Sequence, residues 1–90
     1  MKIGNEDLLI YTYYVYIVKS VMDESYYTGV TEDLKRRLAE HNNGSSKYTS
    51  TKGNFILVWH CTFFYKKKAY DFEKYLKSGS GFAFRNKHLI

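Results

Sequence analysis

The sequence is poor in residues that cross-link or interrupt a chain: its 90 positions include one cysteine, Cys61, and no proline. A single cysteine excludes an internal disulfide framework and a cysteine-based zinc finger. Long apolar runs are also missing, since the strongest, residues 55–59, is far shorter than the roughly 20 residues that a membrane span requires. Residues 1–10 lack the apolar region and cleavage site of a signal peptide. These absences predict a protein of the reducing cytoplasm that does not enter a membrane.

Length and composition predict one folded domain. Ninety residues suffice for a single core and are too few for two domains. Hydrophobic residues make up 44% and charged residues 26%, which is ordinary for globular proteins and argues against disorder. No repeat, low-complexity segment or long linker divides the chain. We expect residues 1–10 to be an N-terminal tail and residues 11–90 to be a single domain.

Charge and aromatic content point to a polyanionic partner. Aromatic residues make up 19% of the chain, and the net charge is +5. The charge is uneven, because residues 1–40 hold seven acidic and five basic side chains, whereas residues 41–90 hold nine basic and two acidic ones. A basic half rich in aromatics favours nucleic acid as the partner. The alternative is a solvated lysine surface without a ligand.

Side-chain patterns predict six elements in the order β-β-α-β-α-α. Aromatic and β-branched runs predict strands over 11–19 and 26–30, paired as a hairpin, and a nearly continuous apolar run predicts a buried strand over 55–64. Helices are predicted over 34–41, with Thr31 as N-cap, over 66–77, and over 82–89 after a turn in which Ser80 is the candidate cap. This order predicts a small α/β (α+β) domain with a three-stranded, mainly antiparallel sheet flanked by helices.

The first predicted helix carries polar residues on its apolar face. Leu34, Arg37, Leu38 and His41 follow the spacing i, i+3, i+4 and i+7, which places them on one side of a helix. A charge on a core-facing stripe is costly unless it meets a partner or a bound anion. The alternative is that Arg37 and His41 lie at the rim of the stripe and extend into water.

The second helix shows the same anomaly with the opposite charge. Glu73 lies on the side of Ala69 and Leu76, and it is one of only two acidic residues after position 40. A carboxylate that leans toward the core in a basic half is a candidate ligand for a hard metal ion. The alternative is an ion pair with a neighbouring lysine.

The hairpin supplies tyrosines. Tyr14, Tyr16 and Val18 share one face of the first strand, and Tyr27 and Gly29 share a face of the second, so a hairpin can bring Tyr16 and Tyr27 together. Gly29 within a strand indicates close approach of a ligand or of another backbone. The alternative is that these tyrosines only pack against neighbours.

Four blocks, in order, carry a family resemblance. They are Tyr14-Val15-Tyr16 with Tyr27-Thr28-Gly29, the segment from Gly29 to His41, Lys47-Tyr48-Thr49, and the segment from Ala69 to Gly79. Together they resemble the GIY-YIG nuclease family over roughly residues 13–87, and are similar to the N-terminal nuclease domain of the bacterial excision-repair endonuclease. The sequence departs from the family where Tyr14 and Val15 replace Gly and Ile, and where Thr31 occupies the region in which some members carry a lysine. Asn86 is the nearest candidate for an asparagine that many members carry near the C-terminus.

The resemblance implies a GIY-YIG-like fold and an endonuclease that hydrolyses DNA with Mg²⁺ or Mn²⁺, in repair or recombination. Its implied catalytic residues are Tyr27 as base, Tyr16 to orient it or the water, Arg37 on the phosphate, His41 in support, and Glu73 as metal ligand. Substrate-binding candidates are Gly29, Lys47, Tyr48, Lys52 and Asn86, and the run 66–68 offers further phosphate contacts. Expected partners are DNA, with RNA left open, and a targeting protein, for a monomer or weak homodimer. The rivals are a non-catalytic or partner-activated binding module of the same fold, and a protein–protein adaptor.

Overall fold

A computed structural model of the chain describes residues 11–43 and 54–90. The expected tail, residues 1–10, lies outside them. The described elements follow the predicted order: β1 (Tyr13–Ser20), β2 (Tyr26–Thr31), α1 (Leu34–Asn42), β3 (Phe55–Phe63), α2 (Lys66–Leu76) and α3 (Gly79–His88). The fold class predicted from the sequence, a three-stranded antiparallel α+β domain, is thereby confirmed. None of the helices in the described residues is long and apolar enough to cross a membrane.

The sheet has the order β2-β1-β3, and both pairings are antiparallel. The central strand, β1, is buried from Val15 to Val18, because it has a neighbour on each side and helices on both faces. In the β1–β2 register Tyr16 lies opposite Gly29 and Val18 lies opposite Tyr27. Tyr16 and Tyr27 are therefore diagonal neighbours on one face of the hairpin.

Two small cores lie on the two faces of the sheet. On one face Tyr16 and Val18 pack with Phe55 and with Leu38 of α1. On the other face Val15 packs with Ala69 and Leu76 of α2. The apolar stripes of α1 and α2 therefore meet opposite faces, and the alternation of β1 side chains decides which core each residue joins.

Three details of the predicted elements are wrong. The N-cap of α1 is Asp33, whose Oδ1 accepts the Arg36 N–H at 3.0 Å; Thr31 remains in β2, paired with Tyr14. Strand β3 is largely unburied, with Ile56 50% exposed, because it is an edge strand of the described sheet and has a neighbour on one side only. An apolar run does not reveal whether its strand is central or at an edge.

The third correction concerns the segment 78–81, which was predicted as a turn. Helix α3 begins at Gly79, its N-cap position is Ser78, and Ser80 lies inside the first turn. Gly81 explains why a glycine-rich sequence is helical here. A Cβ at this position would collide with the backbone carbonyl of Tyr75, so the absent side chain lets α3 pack closely on the end of α2. The tertiary contact outweighs the poor helix propensity of glycine.

Candidate active site

A pocket of about 570 Å³ follows the exposed edge of the sheet. Successive residues of β2, from Tyr26 to Val30, line it, and their side chains alternate between the two faces. The pocket therefore wraps around the edge strand and receives side chains from α1 on one side and from α2 and α3 on the other. It contains all five catalytic candidates and one substrate-binding candidate: Tyr16, Tyr27, Arg37, His41, Glu73 and Gly29.

Gly29 makes room for Tyr16. A Cβ at position 29 would lie 2.6 Å from Cζ of Tyr16 and nearer still to its hydroxyl oxygen. The phenol ring of β1 therefore extends across β2 at the one position that has no side chain. The Tyr16 ring is therefore the group that approaches Gly29 closely. The glycine in turn sets the position of Tyr16 at the pocket wall.

Tyr16 is the centre of a hydrogen-bonded set. Its hydroxyl oxygen accepts the Nε–H of Arg37 at 3.2 Å and lies 3.0 Å from Nε2 of His41. Arginine is a donor only, so the Tyr16 oxygen is the acceptor toward Arg37, whereas the direction of the Tyr16–His41 bond is set by the tautomer of His41. Tyr16 and His41 are each 4% exposed. The alternative interpretation, in which Arg37 and His41 extend from a rim into water, is wrong for His41, which is buried against Tyr16 and Phe55.

The electrostatics of this set favour neutral forms of Tyr16 and His41. Burial raises the pKa of Tyr16, the nearby Arg37 opposes that rise, and the carboxylates of Glu73 and Glu40 add to it. Burial also lowers the pKa of His41, and the positive charge of Arg37 lowers it further. A neutral phenol beside a neutral imidazole is the state that both shifts support.

Arg37 is held on one side and available on the other. Its Nη1 donates to Oε1 of Glu40 at 2.9 Å, and this bond is the main reason why the pKa of Arg37 is raised. Its Nε donates to Tyr16, whereas Nη2 finds no acceptor within the described residues. Its side chain is 32% exposed and lines the pocket. The guanidinium is therefore oriented by two partners, with donors remaining for an anion.

Glu73 enters from α2 and is the acidic side chain of the pocket. Its side chain is 19% exposed, and Oε2 accepts from Nζ of Lys77 at 3.1 Å. Both features considered for Glu73 in the sequence are therefore present. Its carboxylate is ion-paired with a lysine of its own helix, and it also faces the pocket. In the segments 11–43 and 54–90 no three His, Cys, Asp or Glu side chains converge to enclose a metal ion. One carboxylate suits Mg²⁺, which keeps several waters and binds phosphate oxygens together with one or two carboxylates.

Tyr27 lies beside this set without joining it. Its ring packs edge-on against Phe55, with centroids 5.6 Å apart. Its hydroxyl makes no hydrogen bond with another described residue, in contrast to that of Tyr16. Of the two tyrosines, Tyr27 is thus the one whose oxygen is left for a ligand or water.

Four predicted substrate-binding residues are not placed in the pocket. Lys47, Tyr48 and Lys52 lie outside the described residues. Asn86 lies on α3 and does not line the pocket; its Oδ1 accepts two hydrogen bonds from Arg85.

Arg85 is the residue that the sequence analysis missed. It is 8% exposed, lines the pocket and packs over Phe82 and Tyr26. A signal existed: Gly81, Arg85 and Leu89 follow the spacing i, i+4, i+8, which places an arginine in a buried stripe of the last helix. The predicted start of that helix at residue 82 left Gly81 out and obscured this pattern.

Comparison with known proteins identifies the family of the chain. Residues 12–87 match the family model described as GIY-YIG catalytic domain. The chain belongs to the GIY-YIG family, as its motifs indicated.

Its relatives include proteins named UPF0213. One from Clostridium perfringens is 46% identical over 71% of this chain and 69% of its own length, and one from Staphylococcus haemolyticus is 42% identical over 76% and 83%. A UPF0213 protein of Bacillus halodurans, solved by NMR, is 40% identical; the match covers 73% of this chain and 70% of that one, with a TM-score of 0.46. These names state no activity.

Proposed function

We propose that the protein is a divalent-metal-dependent endonuclease that hydrolyses DNA phosphodiester bonds. The observation that carries the proposal is the pocket itself, which gathers Tyr16, Tyr27, Arg37, His41 and Glu73 from four elements around one sheet edge. Phosphodiester hydrolysis needs neutralised phosphate charge, an oriented water and a proton acceptor. The five side chains offer one group or more for each need.

Arg37 binds the scissile phosphate in this proposal. Its Nη2 is open, and its orientation is set in advance by Tyr16 and Glu40. Donors that are fixed before the substrate arrives stabilise developing negative charge without reorganising during the reaction. The planar guanidinium matches two phosphate oxygens at once.

Glu73 would hold the metal ion. Mg²⁺ or Mn²⁺ bound there would neutralise phosphate charge and would make water a better nucleophile. The carboxylate reaches that role by releasing Lys77, whose side chain is 55% exposed and free to turn into solvent. Exposed ion pairs of this kind contribute only about 0–1 kcal/mol, so a ligand replaces them readily.

Tyr27 accepts the proton of the attacking water. Tyr16 is unsuited to that task, because its burial raises its pKa and so favours the protonated phenol. Tyr27 acts as a base as a phenolate, and its oxygen makes no hydrogen bond with another described residue, which leaves it accessible to the water. Tyr16 and His41 orient Arg37 and the water.

The substrate is DNA in this proposal, in repair or recombination in the cytoplasm, for a monomer or weak homodimer that a partner protein targets. The experiment is a cleavage assay on labelled single strands, duplexes, nicked DNA, flaps and four-way junctions, with Mg²⁺, Mn²⁺ or EDTA. We expect metal-dependent cleavage that Glu73→Gln lowers at least about a thousandfold.

Asp71→Asn is the matched control for Glu73→Gln. It removes the other acidic residue of α2, whose partner is the exposed Lys67 and which does not line the pocket. Cleavage that survives Glu73→Gln contradicts the metal assignment. No cleavage on any substrate, with salt-sensitive binding retained, favours the non-catalytic or partner-activated module, and absent binding favours the adaptor.

A further inference from the structure

Arg85 is a buried cation that the mechanism above does not use. It lies in the last turn of α3 and is 8% exposed, although its helix is at the surface. Burying a guanidinium is unfavourable unless acceptors or an opposite charge receive it. Its neighbours therefore indicate whether the charge is neutralised within the protein or remains for a ligand.

Within the described residues, the hydrogen-bond and ring partners of Arg85 are neutral groups. Its Nε and Nη2 donate to Oδ1 of Asn86 at 3.1 and 2.9 Å. Its guanidinium carbon lies 4.4 Å from the ring centroid of Phe82 and 5.4 Å from that of Tyr26. No acidic residue of the described segments forms an ion pair with it, whereas Arg37, Lys67 and Lys77 each have a carboxylate.

These neutral contacts orient the guanidinium and leave its charge in place. The amide of Asn86 holds one edge of the plane, and the rings of Phe82 and Tyr26 lie against it. Nη1 has no acceptor in the described part of the chain. Burial lowers the pKa of Arg85, yet an arginine remains charged at neutral pH.

We propose that Arg85 binds a second phosphate of the nucleic acid, adjacent to the one that Arg37 binds. The two arginines line one pocket but belong to different elements, α3 and α1, on either side of the β2 edge. A phosphodiester chain that crosses the edge presents successive anions to both. The inference rests on the proposed function for the identity of the substrate, and Asn86 acts as the positioning residue of Arg85.

A phosphate chain fits these surroundings better than a single small carboxylate. Arg37, Lys77 and Arg85 bring three cations to the pocket, against the one carboxylate of Glu73. Guanidinium groups match phosphate oxygens in bidentate geometry. The ring of Phe82 is also 46% exposed beside Arg85, which leaves an apolar surface next to the proposed phosphate.

The experiment measures the affinity of the full chain for a fluorescein-labelled duplex DNA in EDTA as a function of salt concentration. The variants are Arg85→Met, Arg85→Lys and Asn86→Asp. Asn86→Asp is the most informative variant. It keeps an oxygen acceptor for Arg85, and its carboxylate neutralises the charge of that arginine. Its control is Ala83→Asp, which adds the same charge to an exposed position of α3 outside the pocket.

We expect Arg85→Met and Asn86→Asp to weaken binding about tenfold and to lower the slope of log affinity against log salt by about 0.9, as for one lost phosphate contact. Arg85→Lys retains part of the affinity, and Ala83→Asp changes the slope little. A merely structural arginine predicts the opposite for Asn86→Asp: a higher melting temperature with unchanged DNA binding. That result overturns the proposal even if Arg85→Met fails to fold.

The outcome separates this inference from the proposed function. A wild-type protein that binds DNA through Arg85 but cleaves none in Mg²⁺ or Mn²⁺ refutes the hydrolysis and leaves the phosphate contact standing. Cleavage with a salt slope that Arg85→Met and Asn86→Asp do not change refutes the contact and leaves the nuclease standing. A wild-type protein that does not bind DNA refutes both.

Discussion

The two sides of the β2 edge hold their polar groups in different ways. On the α1 side, Tyr16, Arg37 and His41 hydrogen-bond to one another, and two of the three are buried. On the opposite side, Glu73 is paired with the half-exposed Lys77, and Arg85 is held by an amide and two rings. The first arrangement is closed and fixed before a ligand arrives. On the second, open side the charges of Glu73 and Arg85 have partners that are weak or neutral, so it is the side that exchanges partners on binding.

The largest expected effect tests whether the two tyrosines differ as this comparison requires. We expect Tyr27→Phe to lower kcat by about 10²–10⁴, because it removes the proposed base. Tyr16→Phe lowers kcat less but reduces the free energy of unfolding by about 1–3 kcal/mol, because the buried His41 and Arg37 each lose the hydrogen bond that they form with the Tyr16 hydroxyl. Single-turnover cleavage and urea denaturation measure the two effects. If cleavage instead depends on Tyr16 alone, Tyr16 is the base and Tyr27 is not.

The next prediction concerns the closed side and adds a side chain at Gly29, next to the Tyr16 ring. Gly29→Ala places a methyl group where the Tyr16 ring lies, so we expect the ring to move and the free energy of unfolding to fall by about 1–3 kcal/mol. The Tyr16–His41 bond is lost with that movement. Gly79→Ala is the matched control, because a Cβ there meets nothing within 4 Å. Equal stability of the two variants in urea contradicts the packing role of Gly29.

The dependence of folding stability on pH provides a third test of the closed side. Because the pKa of His41 is lowered in the folded protein, the unfolded chain binds a proton at a higher pH than the folded one. Stability is therefore retained above about pH 6.5 and falls as the pH drops below it, by at most about 1.4 kcal/mol per pH unit for this group.

Urea midpoints measured from pH 8 to pH 5 test this expectation. His41→Gln removes this part of the slope, whereas His60→Gln, at an exposed position of β3, leaves it in place. A slope that His41→Gln does not alter assigns the acid sensitivity to other groups.

Sequence patterns predicted the α1 side better than the opposite side, for a physical reason. Helical spacing placed Arg37 and His41 on the core-facing stripe, and strand alternation placed Tyr16 on one face of β1. The contact between them spans 21 to 25 positions and depends on the β1–β2 register, which local patterns do not supply. The burial of Arg85 depends on Gly81 docking against α2, a tertiary contact that reverses the ordinary meaning of a glycine-rich turn.

The smallest expected effect tests whether the open side exchanges partners. Lys77 competes with a metal ion for the carboxylate of Glu73, at 3.1 Å in the present arrangement. Since an exposed pair of this kind contributes about 0.2–1 kcal/mol, we expect Lys77→Gln to tighten Mn²⁺ binding about twofold to fivefold. Isothermal titration of Mn²⁺ measures this, with Lys67→Gln as control, because Lys67 makes the same i,i+4 pair with Asp71 outside the pocket. Weaker Mn²⁺ binding in Lys77→Gln than in Lys67→Gln would mean that Lys77 orients Glu73 for the metal, and the open side would then be as preorganised as the closed one.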